Sequence, residues 1–154
     1  MLMTIAKVAE DIARYDLKKL TDDRTILRRE TGDDFLERET NGRLILNIDD
    51  AAVLCGYADL RRAGYPVKLA GTMMSRIRTA MLATPEADQL MTVTLENGGT
   101  FTLDASTLEL GSGYNSGGYI TNAFLFDVRN YRERVQRAID VYEPGIEASD
   151  AVAA

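Results

Sequence analysis

The chain has 154 residues, with 18 Lys and Arg against 24 Asp and Glu, no His, no Trp and a single Cys. Without His there are no His-based triads or common zinc sites, and one Cys excludes an internal disulfide framework and fits a reducing cytoplasm. A hydrophobic share of 45% excludes a disordered chain, and a formal net charge of −6 weighs at first against a nucleic-acid partner.

From the N-terminus, Ile5, Val8, Ala9 and Ile12 recur at helical spacing and predict an amphipathic helix over residues 4–15. Asp22-Asp23 offer an N-cap to a short helix bearing Arg24, Thr25, Ile26, Leu27, Arg28 and Arg29, and Gly32 ends it. Residues 35–46 alternate around Asn41-Gly42, a strong two-residue hairpin signal. Asn47 then caps a helix with Ala51, Leu54, Cys55 and Ala58 on one face. Gly64 closes that helix and Pro66 prevents its continuation. The next helix turns Val67, Ala70, Met74, Ile77 and Met81 inward and stops at Pro85.

Beyond Pro85 the period changes. Leu90–Leu95 and 100–103 flank Glu96-Asn97-Gly98-Gly99 and predict a second hairpin. A Gly/Ser/Asn loop follows at 111–118, and residues 119–128 read as another strand. Tyr131, Val135, Ala138, Ile139 and Tyr142 mark a last helix, which Pro144-Gly145 should end. The expected fold class is α+β: a winged helix-turn-helix over residues 1–84, a β-rich dimerisation or partner-binding module over 85–143, and a flexible tail over 144–154. The apolar faces Met91/Val93/Leu95 and Phe124/Phe126/Val128 are the expected dimer core.

In a winged helix-turn-helix the second helix enters the major groove and the hairpin wing straddles the phosphate backbone. Guanidinium groups on that helix pair with guanine or clamp phosphate. Arg24, Arg28 and Arg29 meet this need, with Thr25 short enough for a phosphate or a thymine methyl, and Arg38 and Arg43 flank the wing tip. The charge distribution agrees. Residues 1–78 hold 14 basic and 13 acidic side chains, whereas 79–128 hold no Lys or Arg and six carboxylates. The acidic excess therefore sits away from the expected DNA-reading half.

The stretch Thr40-Asn41-Gly42-Arg43-Leu44, then Asp49-Asp50-Ala51-Ala52-Val53-Leu54, then Leu60-Arg61-Arg62-Ala63-Gly64-Tyr65-Pro66-Val67 resembles MerR-type transcriptional regulators. Arg24-Thr25-Ile26 is similar to the start of that family's recognition helix, and the resemblance spans about residues 4–83. It implies a homodimer on double-stranded operator DNA, contacted by Arg24, Thr25, Arg28, Arg29, Arg38, Asn41 and Arg43. The expected function is a cytoplasmic transcriptional regulator, a repressor in direction, with no cofactor and no catalytic or metal site. Metal sensing of the kind some relatives perform is excluded by the single thiol, Cys55, which reads as a buried apolar group.

The alternative is an acidic interaction module on the same scaffold, an anti-activator or phage-type inhibitor that meets a protein partner through residues 79–128 and no DNA. The five basic and five acidic groups within 24–43 support it. An enzyme is disfavoured: the glycine-rich loop lacks the Lys-Ser/Thr ending of a phosphate loop, and Asp22-Asp23 and Asp33-Asp34 are explained by caps and turns. No apolar run approaches a membrane span.

Overall fold

The computed structural model describes residues 2–32, 34–36, 39–40, 43–107 and 118–153. The fold is α+β, a helical N-terminal half with a small winged sheet followed by a hairpin, a third strand and a C-terminal helix. The chain opens with β1 (Met3–Thr4) and α1 (Ile5–Lys7), which runs on into a π-helical turn at Val8–Ala13. Arg14, left-handed at φ 56°, closes this segment, and the Tyr15 amide bonds to the Ala9 carbonyl at 2.8 Å.

Helix α2 (Leu17–Thr31) begins six or seven residues earlier than an N-cap at Asp22-Asp23 predicts. Asp16 is its N-cap, accepting from the Lys19 amide at 2.8 Å, and Asp23 is a buried mid-helix residue. The inward face is Leu20, Asp23, Arg24 and Leu27. Two of these four are ionised side chains satisfied by distant partners, so the apolar period is broken at its centre. Gly32 ends the helix at φ 71°, as the sequence predicts.

Strands β2 (Glu39–Thr40) and β3 (Arg43–Leu46) pair antiparallel in the register Glu39↔Leu44 and Thr40↔Arg43. Residues 41 and 42, the predicted wing tip, lie outside the described residues. β1 adds to the other edge of β3, with Met3 opposite Leu46, giving the order β1-β3-β2. Helix α3 (Ile48–Arg62) starts on a reciprocal cap: Asn47 accepts from the Asp50 amide at 2.8 Å and Asp50 accepts from the Asn47 amide. It ends where the Tyr65 amide reaches the Leu60 carbonyl, with Gly64 left-handed at φ 97°. Ten of its fifteen residues are buried, which makes α3 the central helix. Helix α4 (Val67–Ala83) follows Pro66 and crosses α2 at Gly71, where an added Cβ would lie 2.4 Å from the Leu27 side chain.

The second sheet holds β4 (Leu90–Leu95), β5 (Thr100–Asp104) and β6 (Ile120–Phe126) in the order β5-β4-β6, all antiparallel. Helix α5 (Val128–Ala153) then returns to α3. It takes Val128 from the predicted strand and runs past Pro144-Gly145, where the sequence predicts an end, although a proline there removes one amide donor and crowds the carbonyl four residues back. Leu90, Phe126, Val128, Val135 and Ile139 belong to one core with Leu54, Cys55 and Met74. The core therefore crosses the expected boundary at residues 84 and 85. Gly56 permits the contact, since a Cβ there would meet Phe126 at 2.6 Å and Met74 at 2.7 Å. The expected dimer faces are largely used within the chain: Phe126 and Val128 are core, Phe124 packs against it, and Val93 and Leu95 are buried.

Carboxylates of α3 hold α5 in place. Asp49 pairs with Arg132 at 2.7 Å, while Asp59 accepts from Tyr131 at 2.6 Å, Arg134 at 2.9 Å and Arg62. Burial alone would raise the Asp59 pKa, yet these donors together hold it below the ordinary carboxylate value.

Candidate nucleic-acid interface

Helix α2 carries the expected recognition residues, and its packing sorts them. With Leu20, Asp23, Arg24 and Leu27 turned inward, Lys19, Glu30 and Thr31 are exposed at the flanks, and Lys18, Thr21, Asp22, Thr25, Arg28 and Arg29 are exposed on the opposite side. At 3.6 residues per turn these six fall within one face about 120° wide. The face offers three cations, two hydroxyls and one carboxylate. Both threonines bond backward to the helix, Thr21 to the Leu17 carbonyl and Thr25 to the Thr21 carbonyl, leaving their oxygens as acceptors toward solvent.

Arg24 is not part of this face. It is 9% exposed, its Nε donates to Asp34 at 2.8 Å and its Nη2 donates to Asp34 and to the Leu36 carbonyl. A guanidinium so occupied anchors the segment after α2, which corrects its reading as a DNA contact. Arg28 is half exposed and reaches the same Asp34 at 3.1 Å. Arg29 is 71% exposed, with only a 3.9 Å approach to Glu30. Arg38 and Asn41 lie outside the described residues, and Arg43 enters only through its backbone pairing with Thr40.

Sequence reasoning missed Lys18 and Lys19, because it placed the helix start after Asp22. The signal was present: Asp16 precedes Leu17, and Leu20 and Leu27 continue the stripe seven residues apart. It also missed the buried centre that fixes α2. Asp23 Oδ2 accepts from Tyr15 at 2.6 Å, Tyr57 at 2.8 Å and Arg61 Nε at 3.3 Å. Phe35 stacks on Tyr57 with ring centroids 4.3 Å apart. Burial, then the Asp23 bond, pushes Tyr15 up to about 12, and the same causes raise Tyr57 further. Arg62 donates to the carbonyls of Ala13 and Arg14, pinning the turn between the π-helical segment and α2. The two arginines of the Leu-Arg-Arg-Ala-Gly-Tyr stretch thus set the angle of α2.

Cys55 is fully buried and burial pushes its thiol up to about 11, so it packs as an apolar group. Among the described residues, no three Cys, Asp or Glu side chains are grouped to hold a metal ion, and no helix is long and apolar enough to cross a membrane. Comparison with known protein families gives no match, and no curated protein is significantly similar to the chain.

Proposed function

We propose that this protein is a DNA-binding transcriptional regulator, a repressor that sets α2 in the major groove and the β2–β3 hairpin along the backbone. It acts as a homodimer on a pseudo-palindromic site, in the cytoplasm. The observation that carries this reading is the exposed face of α2. Lys18, Arg28 and Arg29 bracket Thr21 and Thr25 on a helix held by its buried side and followed in the chain by an antiparallel hairpin. Such a hold matters because base readout needs side chains fixed in register with the groove.

The test is fluorescence anisotropy on duplexes from the region upstream of the gene, with salt varied between about 50 and 200 mM. Wild type should bind with a steep salt dependence. Arg28→Ala/Arg29→Ala should weaken binding by about tenfold or more and flatten the salt slope by up to about 2. Absence of salt-sensitive binding by wild type, or an unchanged double variant, rejects the proposal. The second reading, an acidic interaction module, draws support from Arg24 and Arg28 both being engaged by Asp34. Recovery of one stoichiometric protein and no DNA from the native host would favour it.

A further inference from the structure

Helix α4 presents Thr72, Ser75, Arg76 and Thr79 along one side, at the three- and four-residue spacings that share a face. Two concavities meet there. One, of about 250 Å³, lies against the C-terminal turn of α2, with Leu27 and Phe35 as apolar wall and the hydroxyls of Thr31, which donates to the Leu27 carbonyl, and Thr72. The other, of about 480 Å³, lies against β5, with Phe101, Ala80 and Ala83 as apolar wall and Thr79, Thr100 and Thr102 as hydroxyls. Ser75 and Arg76 line both, and among the described residues no carboxylate lines either.

That last point is unusual in a chain of net charge −6. Arg24, Arg61, Arg62, Arg78, Arg132 and Arg134 are each paired with an aspartate. Arg76 is exposed and makes no ion pair or hydrogen bond with a described residue. A guanidinium with no counter-charge among the described residues, in a groove whose other described polar groups are hydroxyls, selects an anion; the apolar walls select a hydrophobic body.

We propose that this groove binds a small organic anion, its acidic group on Arg76 and its apolar body against Phe101, Ala80 and Ala83. The site goes beyond the DNA-binding reading and does not rest on it. Helical spacing puts Leu27 and Thr31 on the side of α2 opposite Lys18, Thr25 and Arg29, so groove and DNA-facing surface are separate.

The probes are a matched pair of dyes, anilinonaphthalene sulfonate and its uncharged counterpart phenylnaphthylamine, titrated by fluorescence into the full chain. Wild type should bind the sulfonate more tightly than the amine. Arg76→Gln should weaken the sulfonate by roughly tenfold or more and leave the amine unchanged, because one charge-assisted contact is lost. Lys68→Gln, at an exposed position on the same helix, should change neither. The proposal is overturned if wild type binds neither dye or does not prefer the sulfonate. It is equally overturned if Arg76→Gln keeps sulfonate affinity, or if Lys68→Gln loses as much. DNA binding measured separately is indifferent to each of these outcomes.

Discussion

Replacing Asp23 by Asn tests whether the buried carboxylate holds the helix-turn-helix together. Asp23 is 4% exposed, and one of its oxygens accepts from Tyr15, Tyr57 and Arg61, which belong to the turn before α2 and to α3. A hydrogen bond to a charged acceptor contributes about 1.5–3 kcal/mol and a neutral one about 0.5–1.5 kcal/mol. An amide oxygen in the same place keeps both tyrosine bonds but reduces each by about 1 kcal/mol. The Arg61 pair is lost as well; its side chain is 19% exposed and regains some water, so a further loss of about 1 kcal/mol is reasonable. The expected destabilisation is about 3 kcal/mol, or roughly 6–12 °C in Tm for a chain of this size. Urea unfolding followed by far-ultraviolet circular dichroism measures it. Tyr15→Phe should cost about 2 kcal/mol alone and about 1 kcal/mol in the Asp23→Asn background, since the two share a bond. A loss for Asp23→Asn under about 0.5 kcal/mol, or strict additivity of the pair, would refute the reasoning.

The contact between α2 and α4 gives a second test. Gly71→Ala places a methyl 2.4 Å from Leu27 Cδ2 and should destabilise by about 1–3 kcal/mol. Leu27→Ala in the same chain should relieve part of that loss, and full additivity would show that the two side chains do not compete. Cys55 should react with an aromatic disulfide reagent only after denaturation; prompt reaction of the native protein would contradict its full burial. At alkaline pH the sign follows from groups whose pKa is raised on folding: Cys55 from 9.0 to about 11, and Tyr15 from 10.0 to about 12. Their contribution is complete below pH 9 and is lost as pH climbs through 11 and then 12. Urea midpoints should therefore hold steady to pH 9 and fall above it, and a flat profile across that window would count against the burial of both groups.

Much of the fold was legible in the sequence because local chemistry dictates it. Asn47 and Asp50 cap α3 whatever lies around them, and Gly32 and Gly64 stop helices because left-handed backbone suits a residue without a side chain. The second hairpin follows from Gly98 at φ 84° between two alternating strands. The two-residue strand β1 was not legible, since its only distinguishing property is its pairing with β3, forty residues away. The candidate interface was half legible. Thr25, Arg28 and Arg29 are on the exposed face of α2 as expected, but residue type could not separate Arg29, which faces solvent, from Arg24, which is buried on Asp34.

The sequence by itself determined the α+β class, most of the helix ends, the second hairpin and the segregation of acidic charge into residues 79–128. Those depend on contacts between near neighbours, on backbone preference or on composition. Only the tertiary structure decided which charged groups are structural. Asp23, Arg24, Arg61 and Asp59 are engaged by partners from other elements, while Arg76 meets none among the described residues of its groove. An ionised side chain can enter the interior only where the fold brings a partner to it, and no local pattern records where that partner will be.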